Sequence, residues 1–494
     1  MAASITDKEQ IDDLAIQALE AMLEMHGPDH RFPTDAIWQF IPGDFEIPST
    51  RKPPVPRRLV KRGYLQETGA KTRAQSGPRA GSTTTEYRFG EQLVPENKTS
   101  APFSESPSAS QAGAPTANLS EAIFSIQKSM EAEGYLISPA ELANFFLAMT
   151  VSPLVILSGI SGTGKSLLPR KFAKFTSSNF QSIPVQPQWA DNSDLFGYVP
   201  ALANDTFIKG KIVDSILDAK RHPDSLSIAL LDEMNLAPVE YYFSDFLSVA
   251  ESRERKSGQI GSDPLPIDLP SEPSEAHSSL CEELRGVELP HNLRVVGTAN
   301  MDETTHSFSP KVLDRAFTIE FDDPDLTAFA IGESDTNANF EGLAQAVIDP
   351  DNAISVMEAQ SKNQDLFEHV AAWLSEIQDI LAPTGIKFGY RTRDSILLYL
   401  HFWREFGLSD VLSGSAALDF CLLQKVLPKV SGNSDALEFA LNQLSDWLDA
   451  RSEPSLGVDG IDAEFAGALE RSREKVSRMS SLLDLDGVTR FWGV

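Results

Sequence analysis

The pattern with the clearest chemistry lies at residues 159–166, where the sequence matches G-x-x-x-x-G-K-[ST]. It follows an apolar run at 154–157 and precedes a predicted helix. Glycines let backbone N–H groups wrap a β-phosphate, Lys165 can reach the β- and γ-oxygens, and the Ser166 hydroxyl suits Mg²⁺. The helix N-terminus adds partial positive charge. The predicted phosphate loop consists of Gly159, Ile160, Ser161, Gly162, Thr163, Gly164, Lys165 and Ser166.

Two acidic residues follow a second apolar run, at 228–231. Asp232 is predicted to hold Mg²⁺ through its water shell, and Glu233 to orient and polarise an attacking water. The structural alternative is a strand that merely ends in an acidic turn. The phosphate loop earlier in the chain favours the catalytic interpretation, because hydrolysis of a nucleotide needs both parts.

A third apolar run, at 293–296, belongs to a predicted strand that ends in Asn300, which can help to place the water between the acid pair and the γ-phosphate. Arg315 follows in a short predicted helix. Its charge could stabilise the transition state at a neighbouring subunit's γ-phosphate. The alternatives are an asparagine at a turn and, for Arg315, a surface ion pair with Asp314 or Glu320.

The three apolar runs are typical of buried parallel strands joined by crossover helices. Residues 254–290 interrupt this pattern with acidic, Pro- and Ser-rich sequence, which predicts a surface insertion. After about residue 323 the periodicity is helical, for example at 367–381, 393–406 and 436–448. The predicted fold class is therefore α/β, a parallel sheet with helices on both faces, followed by a helical C-terminal part.

Charge is distributed unevenly along the chain. The 494 residues include 42 Lys+Arg against 71 Asp+Glu, a formal charge of −29, which argues against a protein coated by nucleic acid. Residues 51–90 are the exception, with ten lysines and arginines and two acids. A local basic module therefore stands before a strongly acidic remainder.

The N-terminal order of two predicted helices, a basic helix at 55–64 and a basic β-hairpin is that of a winged helix. The alternatives are a solvated basic surface or a wing that binds protein. A Pro-, Ser- and Ala-rich stretch at 95–117 predicts a flexible linker after this module. The residues predicted to contact DNA are Arg57, Arg58, Lys61 and Arg62.

The cysteines and the apolar segments indicate the cellular compartment in which the protein works. Two cysteines, Cys281 and Cys421, are too few for a disulfide framework or a multi-cysteine zinc site. The first residues lack a secretory signal, and the most apolar region, 143–160, is too short and mixed for a membrane span. We expect a cytoplasmic protein with no membrane partner.

The phosphate loop, the Asp-Glu strand, the Asn-terminated strand and the Leu-Asp-Arg helix, in this order, resemble an AAA+ ATPase. Longer stretches narrow the resemblance to McrB-like proteins, the NTPase motors of modification-dependent restriction systems. It covers roughly residues 120–494. The stretches are LSGISGTGKS at 157–166, QW at 188–189, DLFG at 194–197, DEMNLAPVEYYFSDFLSVAES at 232–252, GTANMD at 297–302, FSPKVLDRAF at 308–317, FGYR at 388–391, QKVLPK at 424–429 and FWG at 491–493.

With this resemblance, the chain is expected to have four parts. They are a winged-helix-like α+β domain at 1–94, the linker at 95–117, an AAA+ core at 118–325 and an α-helical lid with C-terminal helices at 326–494.

The resemblance also implies assembly and residue roles. AAA+ motors form rings, usually hexamers, with each nucleotide at a subunit boundary. Arg315 would be the arginine finger acting in trans, and Arg391 the lid residue that senses the γ-phosphate, with Arg393 as the second candidate. Residues 198–210 would form a β-hairpin inserted in the second helix, which commonly faces the pore or a partner.

McrB-like motors work with an McrC-like protein that carries the endonuclease. No nuclease-like cluster stands out in this sequence, so the cleaving subunit is expected to be a separate chain. McrB itself is associated with GTP and has an Asn-x-x-Asp motif, whereas here Asp302 follows Asn300 one residue early. No N-K-x-D guanine motif is evident, so ATP is favoured and GTP is the alternative.

Two other functions stay open for the same motifs. One is a MoxR-like chaperone that remodels proteins, with the N-terminal module binding protein. The other is a nucleotide-gated DNA-binding regulator with negligible turnover. Glu233 and Arg315 argue against the regulator, because a pure switch can dispense with both.

Overall fold

The computed structural model divides the chain into two compact units, Met1–Ala112 and Gly113–Val494. In the second unit it describes residues 119–492 without 257, 302–304, 323, 325, 328, 330–339 and 453–459. In the first it describes residues 3–4, 15–16, 18–19, 32–33, 37, 45–46, 55, 59, 65–73 and 83–89. The linker predicted at 95–117 lies outside the described residues.

Antiparallel strands form the largest described part of the first unit. Leu65–Arg73 pairs with Thr83–Phe89, whose other edge pairs with the short strand Phe32–Pro33. A separate parallel pair joins Ala3–Ser4 to Phe45–Glu46. The strand predicted at 84–89 is thus present, in a hairpin.

The helical positions described in the first unit are apolar; Ile16 is half-buried, and the others, Ala15, Ala18, Leu19, Val55 and Leu59, are buried. The residues predicted to contact DNA, Arg57, Arg58, Lys61 and Arg62, lie outside the described residues. The winged helix therefore stays a prediction.

A five-stranded parallel sheet forms the centre of the second unit, as the α/β prediction requires. In chain order its strands are β1 Leu154–Gly159, β2 Asn179–Pro184, β3 Ser227–Asp232, β4 Leu293–Asn300 and β5 Phe317–Glu320. Across the sheet they lie in the order β5, β1, β4, β3, β2. Strands β1, β3 and β4 are buried along almost their whole length, as apolar runs covered on both faces should be.

Alternate residues of these strands enter two separate cores. Val155 and Leu157 of β1 face the core that contains the C-terminal helices, whereas Leu154 and Ile156 face a second core. Side chains alternate across a strand, so apolar cover on both faces explains the near-continuous apolar runs in the sequence.

Two helices precede the first strand of the sheet, and shorter helices and two small hairpins connect the strands. The hairpin of Gly197–Tyr198 with Ile208–Lys209 falls where the resemblance implies one, and the other joins Glu254–Lys256 to Gln259–Gly261. The helices are Leu119–Ala132, Pro139–Val151, Leu167–Phe175, Ser193–Phe196, Val213–Arg221, Val239–Tyr242, Ser244–Glu251, Glu275–Leu284 and Pro310–Leu313.

The segment predicted as a surface insertion, 254–290, also contributes to the interior. Leu265, Cys281 and Leu284 are buried in the second core. These apolar residues are separated by many polar ones, so the average composition of the segment does not indicate that part of it is buried.

Helices dominate the chain after residue 340, and the predicted helical segments fall among them. Their packing against the sheet includes Tyr399, whose ring stacks on Phe317 of β5 at 5.7 Å. Within the part of the chain that is described, no helix combines the length and apolarity needed to cross a bilayer. The helices are Glu341–Ile348, Val356–Lys362, Gln364–Leu381, Tyr390–Glu405, Gly414–Lys425, Asp435–Ser452, Ile461–Glu464 and Glu470–Asp486.

Candidate functional site

The phosphate loop begins where β1 ends, and its glycines adopt a backbone that other residues avoid. Gly159, Gly162 and Gly164 have φ angles of 140°, 88° and 87°. A Cβ at Gly159 would lie 2.5 Å from the Phe321 carbonyl oxygen, and one at Gly164 would lie 2.8 Å from a ring carbon of Tyr135. Conformation and close approach therefore both require glycine at these two positions.

Lys165 is buried and directed back onto the loop. Its ammonium donates hydrogen bonds to the carbonyl oxygens of Gly159, at 2.9 Å, and of Ile160. Burial lowers the pKa of Lys165, while the charges of Asp322, Asp232 and Glu233 act in the opposite direction. The side chain thus lies among acceptors and acids, with its charge available to a bound anion.

Asp232, at the end of β3, accepts two hydroxyl hydrogen bonds on one carboxylate oxygen. Ser166 Oγ and Thr298 Oγ1 each donate to Asp232 Oδ1 at 2.7 Å. The carboxyl ends of parallel strands meet at one edge of a sheet, which is why the end of β3 reaches the loop after β1. Hydroxyl and carboxylate oxygens are the donors that Mg²⁺ prefers, so Ser166 and Asp232 fit that ion.

Glu233 has a left-handed backbone, with φ 55° and ψ 48°. This conformation costs a non-glycine residue about 1–2 kcal/mol. The Glu233 N–H donates to Thr298 Oγ1 at 2.9 Å, and its exposed carboxylate accepts from Asn300 Nδ2 at 3.3 Å. Strain at this turn directs the acid away from the core and toward Asn300.

The backbone of Asn300, the last residue of β4, is hydrogen-bonded to the side chain of a buried asparagine, Asn235. Asn235 Nδ2 donates to the Asn300 carbonyl oxygen at 2.8 Å, and the Asn235 carbonyl accepts from the His306 N–H. Asn235 lies in the one-turn helix Met234–Leu236 directly after Glu233. The turn after β3 and the end of β4 are therefore held as one unit.

Arg315 and Arg391 share the carboxylate of Glu251, the last residue of its helix. Arg315 Nη2 donates to Oε2 at 2.6 Å, and Arg391 forms an ion pair with Oε1. The sequence offered Asp314 and Glu320 as ion-pair partners of Arg315. In the structure Asp314 pairs with Lys429 and Glu320 pairs with Lys475, and the partner of Arg315 is Glu251. Two arginines separated by a long stretch of sequence thus lie side by side.

The sequence did not reveal Thr298, Asn235 or Glu251. Thr298 joins Asp232 to the backbone of Glu233, and its only signal is a position two residues before Asn300 on the same face of β4. Asn235 and Glu251 act through contacts with residues distant in sequence, which no local pattern contains.

Comparisons with known proteins give limited likenesses. A family described as a domain of unknown function, DUF8727, matches residues 347–488. No curated protein matches this chain. A crystal structure of a "putative ATPase" from Cytophaga hutchinsonii ATCC 33406 shares 15% identity at a TM-score of 0.38, covering 63% of this chain and 86% of that one. A structural likeness this weak does not support a conclusion about function. The proposed function therefore rests on the geometry of the site.

Proposed function

We propose that this chain is an AAA+ nucleoside triphosphatase that uses ATP and Mg²⁺. The observation that carries the proposal is the convergence on Asp232, where Ser166 of the phosphate loop and Thr298 of β4 donate to one carboxylate oxygen. Glu233 joins them through Thr298, and Asn300 joins through Glu233. Phosphate-binding, metal-binding and water-activating groups from three strands thereby form one connected network.

The reaction is attack of water on the γ-phosphorus. Lys165 leaves the carbonyls of Gly159 and Ile160 for the phosphate oxygens, while loop N–H groups surround the β-phosphate. Glu233 accepts a proton from the water, whose oxygen bonds to phosphorus as the bond to the bridging oxygen breaks and ADP leaves. Ser166 and Asp232 would hold Mg²⁺, and the charge of that ion would offset the negative charge of the phosphate oxygens.

Asn300 positions the acid and the water in this scheme. Its amide N–H already donates to Glu233, so the carboxylate has a defined orientation before substrate binds. A fixed orientation lowers the reorganisation needed in the transition state.

We further propose that the protein works as a ring, hexameric by family resemblance, with Arg315 acting on a neighbour's nucleotide and Arg391 sensing the γ-phosphate. The pairing of both arginines with Glu251 supports a shared role, because it holds two guanidinium groups together on one surface. The motor would serve a DNA-targeting restriction complex with a separate McrC-like endonuclease, and the basic N-terminal module would bind DNA.

Turnover of ATP and GTP by the full chain, each with Mg²⁺ and with or without DNA, tests the enzymatic part. We expect ATP turnover that is lost in Lys165→Ala and kept in Lys220→Ala, a matched lysine at an exposed helix end. Equal rates for wild type and Lys165→Ala would contradict the proposal. A GTP rate above the ATP rate would reverse the assigned nucleotide preference.

DNA binding tests the N-terminal part separately. Reversing Arg57, Arg58, Lys61 and Arg62 to glutamate is expected to abolish DNA binding, because phosphate contacts dominate such affinity. Binding by this variant with an unchanged salt dependence would contradict the assignment to these four residues.

A further inference from the structure

The residues after the last long helix, Glu470–Asp486, contact the strand that carries the phosphate loop. Trp492 Nε1 donates to Ser158 Oγ at 3.3 Å. Ser158 is fully buried and directly precedes Gly159, the first residue of the loop. The indole also packs edge-on against Phe308 at 5.9 Å between ring centroids, so its position is fixed from two sides.

A second link runs from the helix itself to the other side of the loop. Lys475 forms a buried ion pair with Glu320, the last residue of β5. Asp322, whose carboxyl group is close enough to Glu320 to raise the pKa of Glu320, accepts the Ile160 N–H at 3.1 Å. A Cβ at Gly159 would lie 2.7 Å from Asp322 Oδ1, so the loop rests directly on this carboxylate.

The two links are joined to each other away from the loop. The Lys475 ammonium lies 4.2 Å from the centroid of the Phe491 ring, and that ring is perpendicular to the Trp492 indole at 5.1 Å. Thr489–Arg490 pairs with Ser431–Gly432, which fixes the backbone of the segment. One connected set of C-terminal side chains therefore contacts Ser158 directly and reaches Ile160 through Glu320 and Asp322.

We propose that Trp492 and Lys475 are positioning residues for the phosphate loop, which they hold in the geometry that binds a nucleoside triphosphate. The inference rests on the proposed nucleotide site. Neither residue touches the phosphates; both act through Ser158, Glu320 and Asp322. By thermodynamic reciprocity, a nucleotide that tightens the loop also tightens the contact of Trp492 with Ser158.

The test is the affinity of the full chain for a fluorescent ATP analogue with Mg²⁺, measured in a double-mutant cycle. Trp492→Phe keeps a ring against Phe308 but removes the N–H donor, and Ser158→Ala removes its acceptor. Each change is expected to weaken binding about five-fold, the size of one hydrogen bond. The double variant should bind no more weakly than either single variant, because the same contact is lost.

Trp447→Phe is the matched control, since Trp447 also donates from its indole, to Glu376 in the helical part of the chain. The affinity of Trp447→Phe for the analogue should equal that of wild type. The second link is tested in the same way: Lys475→Met should weaken binding of the analogue. Lys362→Met, which removes a surface ion pair, should not. Thermal unfolding without nucleotide identifies variants that lose the fold.

The outcomes separate this inference from the proposed function. If wild type binds the analogue and folded Trp492→Phe binds it equally well, the positioning role is wrong. Additive losses in the cycle, or an equal loss in Trp447→Phe, also overturn it, because they indicate a general structural effect. If wild type binds no nucleotide, the proposed function itself has failed.

Discussion

At the scale of single residues, the buried Thr298 connects two of the predicted catalytic groups. Its hydroxyl donates to Asp232 and accepts from the Glu233 N–H, so one oxygen fixes both the predicted metal ligand and the predicted base. A hydroxyl held between two partners has one rotamer and one hydrogen position. The strained backbone of Glu233 is stabilised by this contact.

Thr298→Val should lower kcat at least about ten-fold while nucleotide binding persists, because a misplaced base affects the transition state more than the ground state. Valine keeps the shape of threonine and removes the hydroxyl. Thr298→Ser restores the oxygen and is expected to recover most of the rate. Equal kcat for valine and threonine, measured as steady-state ATP turnover, would show that the hydroxyl is dispensable.

At the scale of elements, the buried pair of Glu320 and Lys475 attaches helix Glu470–Asp486 to β5. Burial is the main cause that raises the pKa of Glu320, to about 7, and the charge of Lys475 partly offsets it. The native state therefore holds this proton more strongly than the unfolded chain does. Its contribution to stability is complete below the unfolded pKa and is lost as pH rises through about 7.

Glu320→Gln should therefore become more stable relative to wild type as pH rises from about 5 to 8, because glutamine imitates the protonated acid and never ionises. The free energy of unfolding by denaturant, measured for both proteins at each pH, gives this difference. A difference that stays constant, or that changes in the opposite direction, contradicts the raised pKa. Glu368→Gln, on an exposed helix surface, is the control for removing a carboxylate outside this buried pair.

Local sequence patterns were enough for the parts of the site that lie at strand ends. The phosphate loop and Asp232 follow apolar runs, and parallel strands bring such ends together, so both could be placed from sequence alone. Thr298, Asp322 and Glu251 were missed, because their roles come from side chains that meet only in the folded chain. The pairing of Arg391 with Glu251 was equally invisible, since it needs the packing of the helical part on the core.

At the scale of the whole molecule, the charge asymmetry fits two tasks in one chain. The second unit contains the acidic part of the chain and the proposed nucleotide site, while the basic stretch at 51–90 belongs to the first unit. The acidic charge of the second unit disfavours non-specific contact with DNA, so the proposed DNA binding would fall to the basic stretch of the first unit.

Mixed assemblies test whether Arg315 acts across a subunit boundary. Lys165→Ala subunits lack the phosphate-binding lysine, and Arg315→Ala subunits lack the arginine, so each pure preparation should have almost no ATPase activity. Mixing them is expected to restore part of the rate, because some boundaries then combine an intact loop with an intact Arg315. Mixtures that stay as inactive as their components would mean that the two residues serve the same subunit's nucleotide.

The central claim is that Glu233 activates water in a site that binds ATP independently of it. ATP affinity and single-turnover hydrolysis should therefore be measured on the same preparation of Glu233→Gln, beside wild type and the control Glu368→Gln. We expect Glu233→Gln to bind ATP with Mg²⁺ within about three-fold of wild type and to hydrolyse it at least 100-fold more slowly, about the loss expected when a general base is removed. Hydrolysis by Glu233→Gln at the wild-type rate would show that Glu233 does not activate the water.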